Sequence, residues 1–436
     1  KTAGILLRTD QAPSESWVRR IITRYLDEEG SAKMHLGMLG VYIEDSRTSV
    51  ERPAVFYVDN HMRSYTGQET LLKGWRMQDK RAKPGATDYY VHDEDGRPVF
   101  RVDVASHDSL CKWLAPIAGM LRDGLGKEQK ILVAFDRAGA YPNQMVELRE
   151  NGFEFVTYER RPYKSVPASA FGKKVAIGGD EIWVHEKRLA NLKKGRGRVR
   201  RIVLRMPDNN QVNLLAVSRE PAERLAEIML GRWIQENAFK HGKERWGIDQ
   251  LDSREVVEYP PDTIIPNPAR RKIEYSLRVL RSREGTIRSK LARKPKNQNG
   301  AEKLEEELKT NLAWQEDLVS IRPFFPKKAK LEETDLAGEL VHHDSHYKTF
   351  IDTVRIACAN VESDLAGELS RDSGIGQGLE GLGDQFVVHQ RPRRWSRMWD
   401  ASACGWSWWI RCPAPGIRTV VASLRWVLRS MPGNGE

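Results

Sequence analysis

Short apolar runs that stop at an acidic residue mark the middle of this chain. One run covers residues 54–58 and stops at Asp59, and another covers residues 131–135 and stops at Asp136. Unbroken apolar runs of about four to eight residues are typical of strands that are buried on both faces of a sheet. We therefore expect two buried strands, each followed directly by a carboxylate.

The segments around these two runs complete an alternating pattern of strands and helices. Residues 89–92 and 99–104 flank an Asp-Gly turn, which predicts a β-hairpin. The sequence also predicts helices at 109–125 and 142–150 and a further strand at 153–158. This order indicates an α/β fold with a mixed sheet and helices on its faces. Because open sheets of this kind bind ligands at strand ends, the two carboxylates are candidate site residues.

The later part of the chain changes from strands to helices. Four short strand candidates predict a β insertion at about 171–218, and a helix is expected at 221–243. From residue 268 onward, two stretches with apolar residues at heptad spacing predict a helical hairpin with its turn at 295–300. The expected regions are a helical N-terminal remnant (1–50), an α/β domain (51–260), the hairpin with a C-terminal helix (268–370) and an irregular tail (371–436).

The tail after residue 370 has neither a helical nor a strand period. It nevertheless holds six of the thirteen tryptophans, mixed with Arg, Pro and Gly. A soluble domain seldom leaves so many large aromatic residues in a segment without periodicity, so we interpret the tail as the product of a frameshift. A tryptophan-rich binding tail is the alternative. The chain also begins with Lys1 rather than Met, which favours a fragment that lacks an N-terminal part.

The charge balance favours a polyanionic partner. The formal net charge is +11, and contacts between cationic side chains and phosphates release condensed counterions. Within the expected insertion, Lys193, Lys194, Arg196 and Arg198 form a cationic run. The run fits a solvated loop and a DNA-facing hairpin equally well.

Cysteine content and hydropathy indicate which cellular compartment to expect for this chain. Four scattered cysteines without a Cys-x-x-Cys pair are too few for a disulfide framework or a zinc ribbon, so we expect a reducing, cytoplasmic setting. No run of about 18 apolar residues occurs, so no membrane span is expected.

The helix expected near residue 236 carries charge on one face. Arg232, Glu236, Lys240 and Lys243 share that face at 3.6 residues per turn. One carboxylate among three cations could bind a metal ion while the cations hold DNA phosphates. Taken alone, the helix fits better with a solvated face whose ion pairs contribute only about 0.2–0.5 kcal/mol each.

The combination with the two strand-end aspartates changes that balance. Asp59, Asp136 and Glu236 supply the carboxylate oxygens that a two-metal phosphoryl-transfer site requires, and no His or Cys cluster accompanies them. Hard Mg²⁺ prefers such ligands, and Mn²⁺ could substitute.

At this point the sequence resembles the DDE transposases of bacterial insertion sequences, in the group with a β insertion between the second aspartate and the glutamate. The resemblance covers roughly residues 50–370, with motifs at residues 56–61 and 134–139. Arg232, Glu236 and Lys243 match the spacing of that group's Y-x₂-R-x₃-E-x₆-K signature. Met229 stands where the tyrosine would be, so the signature is incomplete at the position that would contact the DNA end.

The resemblance implies a ribonuclease H-like fold and a role for each motif. Asp59, Asp136 and Glu236 would ligate two Mg²⁺ ions, and Arg232 and Lys243 would contact phosphates at the transposon end. The insertion would help to hold DNA. In some relatives a tryptophan there stacks on a displaced base, and Trp183 is the candidate by position, although ordinary packing in the sheet is the better-supported role. A homodimer acting on paired ends is also implied.

Three functional hypotheses follow. The leading one is a transposase that cleaves the ends of a mobile element and joins them to target DNA. The second is a ribonuclease H-like nuclease that cuts without strand transfer. The third is a catalytically inactive, DNA-binding remnant, which the missing Met and the aberrant tail favour.

Overall fold

The computed structural model describes residues 14, 16–17, 20, 28–46, 52–104, 107–177, 179–191, 198–253, 255–293 and 298–372. The chain divides into two compact units, which consist of residues 1–65, 73–255 and 344–436 and of residues 66–72 and 256–343.

Of the fifteen strands in the described part of the chain, nine lie where the sequence predicts strands, several of them longer than predicted, and six, each of two to four residues, were not predicted. They are β1 (Ala54–Ser64), β2 (Thr70–Leu71), β3 (Lys73–Arg76), β4 (Arg81–Asp93), β5 (Pro98–Val104), β6 (Ile131–Phe135), β7 (Glu154–Tyr158), β8 (Lys173–Ile177), β9 (Asp180–Asn191), β10 (Arg198–Arg205), β11 (Gln211–Val217), β12 (Val256–Glu258), β13 (Ile264–Pro266), β14 (Lys328–Lys330) and β15 (Leu340–His343).

The α-helices lie between the strands of the first half and dominate the second half. They are α1 (Glu28–Ser46), α2 (Leu110–Leu125), α3 (Pro142–Glu150), α4 (Ala222–Leu230), α5 (Trp233–His241), α6 (Pro268–Ala292), α7 (Gln298–Ile321) and α8 (His346–Asp372). Among these described helices, none has the length and apolar character needed to cross a bilayer.

A large mixed sheet organises the first unit. Its order is β3-β4-β1-β6-β7-β11-β10-β9-β8, and β5 also pairs with β4. Strands β1, β6 and β7 are parallel to one another, whereas β4 runs antiparallel to β1. The predicted hairpin is β4–β5, and its turn contains Gly96 at φ 81°. The expected mixed sheet with flanking helices is confirmed.

The β insertion is present but is not a separate small sheet. Its strands β8–β11 lie at the predicted positions, yet β11 pairs antiparallel with β7, from Leu214 opposite Tyr158 to Val217 opposite Phe155. An unpaired β7 would expose a row of backbone N–H and C=O groups at a sheet edge, and β11 satisfies them. The insertion therefore extends the central sheet.

Apolar side chains cover both faces of the sheet. On one face, Leu114 of α2 and Leu148 of α3 pack into a buried cluster with Val58. On the other face, Leu225 of α4 packs in a second cluster with Ala134. Full burial of each leucine contributes roughly 1.5–3 kcal/mol, so the helices fix the sheet from both sides.

The single helix expected at 221–243 is divided into α4 and α5. The break lies at Gly231 and Arg232, and a π-helical turn, Gly242–Trp246, follows α5. Tyrosine hydroxyls from the sheet hold the last carbonyls of α4: Tyr57 donates to the Ile228 oxygen (3.0 Å) and Tyr158 to the Met229 oxygen (3.0 Å). These bonds satisfy acceptors that a continuing helix would have used internally.

Charged side chains are buried where α8 covers β4 and β5. Asp88 accepts hydrogen bonds from Arg63 Nε (2.5 Å) and Arg101 Nη1 (2.6 Å), and Arg101 Nε lies 2.6 Å from Asp352. Lys348 Nζ donates to Asp352 at 2.8 Å. The buried ion network, as we call it, consists of Arg63, Asp88, Arg101, Asp103, Asp252, Lys348, Asp352 and Arg355.

The second unit contains the predicted helical hairpin, α6–α7. Ile273, Leu277 and Ile287 of its heptad stripe are buried. Helix α7 begins at Gln298, inside the segment expected to be the turn. Leu312 was expected in the stripe but is 39% exposed.

Polar side chains take the place of Leu312 in the seam. Asn311 is buried, and Gln315 Nε2 donates to Asn311 Oδ1 (2.8 Å) and to Glu284 Oε2 of α6 (2.9 Å). The seam therefore combines apolar contacts with a hydrogen-bonded polar layer.

The described residues include only part of the segments predicted for the two ends of the chain. Helix α1 lies in the predicted helical region 1–50. Helix α8 begins earlier than the C-terminal helix expected from residue 350, and its contacts place it in the first unit rather than with the hairpin. Residues 373–436 of the tail, on which the frameshift interpretation rests, lie outside the described residues.

Candidate functional site

The two aspartates occupy neighbouring positions on parallel strands. The parallel register of β1 and β6 ends with Val58 opposite Phe135, so Asp59 and Asp136 are the next residues on adjacent strands. Adjacent strands lie about 4.8 Å apart. Each carboxylate accepts a hydrogen bond from the N–H of the following residue, Asn60 at 2.8 Å and Arg137 at 2.7 Å.

One expectation about Asp59 is wrong. The sequence placed it at the end of a strand, but β1 continues to Ser64 because its second half pairs with β4 as far as Gly85. Only the parallel pairing with β6 ends before Asp59. The carboxylate therefore lies at the edge of the parallel part of the sheet, on a strand that is fixed on both sides of it.

The guanidinium group of Arg232 joins Asp59 to Glu236. Nη1 of Arg232 donates to Asp59 Oδ2 at 2.8 Å, and Nη2 donates to Glu236 Oε1 at 3.4 Å. The two carboxylates are thus separated by the width of one guanidinium group. We call Asp59, Asp136, Arg232 and Glu236 the acid-rich cluster.

The electrostatics of the acid-rich cluster reflect burial and an excess of acid. Burial raises the pKa of the Asp59 carboxyl above its usual value, and Arg232 opposes that shift. For Arg232, burial by itself would lower the pKa, but Asp59 and Asp136 raise it above the usual value. A single guanidinium therefore interacts with more than one carboxylate and does not neutralise the cluster.

Gln235 fixes the helix that carries Glu236, and the sequence reasoning missed it. Its side chain is fully buried, and Nε2 lies 2.9 Å from His92 Nδ1 and 3.3 Å from the Tyr57 carbonyl oxygen. The next residue of α5 towards its N-terminus, Ile234, packs on Gly96 so closely that a Cβ at Gly96 would collide with it. An uncharged residue on a charged helix gives no sequence signal for this anchoring role.

Tyr158 is a second residue that the sequence reasoning missed. It ends β7, the parallel strand next to β6, and it interacts with Arg232 and Asp136. The rule that placed the two aspartates at strand ends could have included it. Met229, at the position of the signature tyrosine, is fully buried in the core and offers only its backbone oxygen to Tyr158.

The two lysines predicted on this face differ in environment. Lys240 is exposed on α5. Lys243 lies in the π-helical turn and is half-buried; burial lowers the pKa of its amine, and Asp249 opposes that shift. The irregular turn means that the regular helical spacing, which put both lysines on the face of Glu236, does not extend to Lys243.

The chemistry of the acid-rich cluster fits a hard divalent cation, although its present arrangement does not complete a metal site. Its carboxylates supply only oxygen donors, the type that Mg²⁺ prefers. Within the described part of the chain, no three His, Cys, Asp or Glu side chains lie close enough together to hold a metal ion. Arg232 lies between Asp59 and Glu236, so Glu236 could join the aspartates only after the guanidinium moves.

The residues predicted in the insertion lie away from the acid-rich cluster. Trp183 is on β9, four strands from β6 and so about 19 Å across the sheet. It is 37% exposed, Lys174 Nζ lies 5.8 Å from its ring centroid, and it lines a cavity of about 470 Å³. Arg198 is exposed at the start of β10, whereas Lys193, Lys194 and Arg196 lie outside the described residues.

One comparison with known proteins supports an assignment to a family. A family model described as "Transposase protein" matches residues 4–294. Among solved structures, a piggyBac transposase synaptic complex with hairpin DNA matches with a TM-score of 0.30 and 10% sequence identity. That match covers 45% of this chain and 44% of the other, so the chain spans less than half the length of that protein, and the likeness is too low to support an argument. No curated protein matches the chain.

Proposed function

Because this chain belongs to the family of transposase proteins, we propose that it is a DNA transposase of the DDE type and that Asp59, Asp136 and Glu236 form its catalytic site. The observation that carries the proposal is the register of β1 and β6, which brings two carboxylates together at the edge of the parallel strands. The bond of Arg232 to both Asp59 and Glu236 supports the inclusion of the third acid.

The strand order supports a ribonuclease H-like assignment. In the first unit, β1, β4 and β5 form an antiparallel meander, and β6 and β7 then continue parallel to β1 with helices between them. Ligands bind such sheets outside the carboxyl ends of the parallel strands, which is where Asp59, Asp136 and Tyr158 lie.

Asp59, Asp136 and Glu236 would hold two Mg²⁺ ions, for which Mn²⁺ could substitute. Bound there, the ions would supply activation of the attacking oxygen and stabilisation of the leaving oxygen in phosphoryl transfer. Arg232 would then leave its carboxylate partners for a DNA phosphate, since a guanidinium binds phosphate and carboxylate through the same pair of N–H groups. Lys240 and Lys243 would hold neighbouring phosphates.

The chain's own residues set the geometry of the reaction. Gln235 holds α5 on the sheet, so the Glu236 backbone stays in place when Arg232 changes partner. In strand transfer, a 3′-hydroxyl of the element's end attacks a target phosphorus; a new P–O bond forms, the old P–O bond breaks, and the leaving 3′-oxygen takes up a proton. Cleavage differs only in that water is the attacking group.

The insertion would hold DNA at a distance from the reacting phosphate. Trp183, with Lys174 beside its ring, has the chemistry to stack on a base and bind its phosphate. Arg198 and the cationic residues Lys193, Lys194 and Arg196 would contact the backbone. Double-stranded DNA, as transposon end and as target, is thus the proposed partner, and a homodimer on paired ends is part of the same proposal.

The test uses the full chain, Mg²⁺ and DNA from both sides of its reading frame. We expect 3′ ends to be cut and joined to a target plasmid, and Asp136→Asn to abolish both steps while it retains DNA affinity. Cutting without joining would favour the nuclease. DNA binding without cutting would favour the inactive remnant, for which the absence of three converging ligands among the described residues is the specific supporting observation.

A further inference from the structure

Three arginines in the segments that follow β6 and β7 lie over tyrosine rings. The guanidinium carbon of Arg160 lies 3.9 Å from the ring centroid of Tyr141, and that of Arg161 lies 5.9 Å from the ring of Tyr163. The third pair is Arg137 over Tyr158, also at 5.9 Å. Each distance is within the range of a cation–π interaction, about 6 Å.

A hydrogen bond connects two of these pairs to each other beside Asp136, and Arg161 of the third pair directly follows Arg160 in the chain. Arg137 directly follows Asp136, and its carbonyl oxygen accepts a hydrogen bond from Arg160 Nη1 at 3.3 Å. The segment after β7 is therefore tied to the segment after β6. We call Arg137, Tyr141, Tyr158, Arg160, Arg161 and Tyr163 the Arg–Tyr surface.

Nearby carboxylates neutralise little of the positive charge of the Arg–Tyr surface. All three arginines are exposed, and among the described residues neither Arg160 nor Arg161 has a carboxylate within 4.0 Å. Arg137 has one weak contact, 3.7 Å from Nε to Asp136 Oδ1. An arginine on an aromatic face keeps the N–H groups at its edge for an acceptor, and the ring reduces the rotamer entropy lost on binding.

We propose that the Arg–Tyr surface binds the phosphate backbone of the DNA strand that passes the acid-rich cluster, independently of base sequence. The proposal rests on the proposed function in one respect, namely that the partner is DNA. Phosphate is the acceptor that fits these groups, because a guanidinium edge forms paired, charge-assisted hydrogen bonds to its oxygens. The surface would thus align the strand on one side of the reacting phosphate.

The experiment measures DNA binding without catalysis. The affinity of the full chain for a short duplex of arbitrary sequence is measured in EDTA by fluorescence anisotropy at several salt concentrations. Each arginine removed in Arg137→Gln, Arg160→Gln and Arg161→Gln lowers the slope of log affinity against log salt by about 0.9. The triple variant loses affinity on the order of 10²-fold at about 0.1 M salt.

A matched control lies in the second unit. Arg278 also lies over a tyrosine, Tyr275, with its guanidinium carbon 5.3 Å from the ring centroid. We expect Arg278→Gln to leave the slope unchanged. Tyr141→Phe keeps the ring and retains affinity, whereas Tyr141→Leu weakens binding about threefold because the stack is lost.

The outcomes separate this surface from the catalytic proposal. Unchanged affinity and slope in the triple variant, with a wild-type thermal transition, would overturn the Arg–Tyr surface and leave the transposase proposal intact. Normal binding by wild type combined with full cleavage by Asp136→Asn would overturn the catalytic site and leave the surface intact. Absence of DNA binding by the wild type would overturn both.

Discussion

Two clusters of charged side chains share one face of the large sheet but differ in charge balance and in exposure to solvent. Asp59 of the acid-rich cluster and Arg63 of the buried ion network lie on the same strand, four residues apart, and strand geometry points both to the same face. The acid-rich cluster has three acids and one arginine. The buried ion network has four acids and four bases, namely Asp88, Asp103, Asp252 and Asp352 with Arg63, Arg101, Lys348 and Arg355.

The environments differ as much as the charges. The side chains of Arg63, Asp88 and Lys348 are at most 1% exposed, whereas those of Asp136 and Glu236 are 35% and 66% exposed. A buried charge is tolerated when it is paired, and the network is balanced accordingly. In the acid-rich cluster, Asp59 and Arg232 are largely buried, but Asp136 and Glu236 are open to solvent and the negative charge is not balanced. These are the conditions under which a site attracts external cations. Charge balance and exposure therefore separate a structural cluster from a candidate catalytic one.

The largest expected effect is on catalysis. Asp136→Asn removes one carboxylate from the acid-rich cluster and should lower Mg²⁺-dependent DNA cleavage on the order of 10⁴-fold, equivalent to about 5.5 kcal/mol in the barrier. The free energy of unfolding should fall by no more than about 0.5 kcal/mol, since the side chain is partly exposed and faces other acids. Single-turnover cleavage and urea denaturation measure the two quantities, and a large loss of stability would contradict the comparison.

Breaking the buried ion network should have its main effect on stability rather than on catalysis. Arg101→Met leaves Asp88 and Asp352 without a partner that binds both, and the free energy of unfolding should fall by about 3–5 kcal/mol. The control is Arg76→Met, which breaks a more exposed pair with Asp79 and should cost at most about 1 kcal/mol. Equal losses of unfolding free energy for the two substitutions in urea denaturation would show that the buried ion network stabilises the fold no more than the more exposed pair does.

The pH dependence of stability should report the network as well. Burial, reinforced by Asp88, raises the pKa of Asp103 to about 6 in the folded protein. The folded state then binds more protons than the unfolded state between pH 4 and 6, so stability should rise by about 2 kcal/mol as the pH falls from 7 to about 4. Asp93, whose pKa burial also raises to about 6, contributes with the same sign.

Asp103→Asn isolates the contribution of the network, because it should remove the rise of about 2 kcal/mol that Asp103 provides and leave the contribution of Asp93. Asp88 and Asp352 change stability with pH in the direction opposite to Asp103. Burial by itself would raise the pKa of each carboxyl, but the neighbouring cations lower both below the usual value, so the stability that they provide is lost at more acidic pH. Denaturation curves between pH 3 and 8 that are identical for wild type and Asp103→Asn would refute the assignment.

The smallest expected effect concerns Arg232. Arg232→Gln removes the cation that competes for Asp59 and Glu236, so the affinity of the DNA-free protein for Mn²⁺ should rise about fivefold, equivalent to about 1 kcal/mol. Isothermal titration calorimetry measures it, with Arg224→Gln, at a salt bridge to Glu94, as the control. A fall in Mn²⁺ affinity would mean that Arg232 assembles the acids rather than occupying their place.

The sequence predicts the local elements of this fold well and the long-range contacts poorly. The strands β6 and β7 and helix α3 lie within one residue of their predicted bounds, because each is a single unbroken pattern. The pairing of β11 with β7 connects segments about sixty residues apart, and no local pattern specifies such a partner. The break at Gly231 carried only one weak signal, a glycine inside an otherwise regular amphipathic stretch.

The same limit applies to the charged clusters. Asp59 and Asp136 could be proposed because an acid after a buried strand is a local feature. Asp88 and Arg101 also lie on strands, but as charged residues on one side of a hairpin they look like a solvent-facing surface. Their burial depends on α8, which comes more than two hundred residues later in the chain. Only the folded chain distinguishes a covered face from an open one.

The continuous strand pairing of the sheet fixes the distance between Asp136 and Trp183. Because β7, β11, β10 and β9 are paired edge to edge, β6 and β9 are four strand spacings apart, about 19 Å. The register places Glu186 of β9 in line with Asp136, and Trp183 lies three residues further along that strand, about 10 Å, so Asp136 and Trp183 are about 22 Å apart. Along one strand of a duplex, about 22 Å corresponds to between six and seven nucleotides. Under the proposed function, the number of strands between these two residues would set the length of DNA that contacts both of them at once.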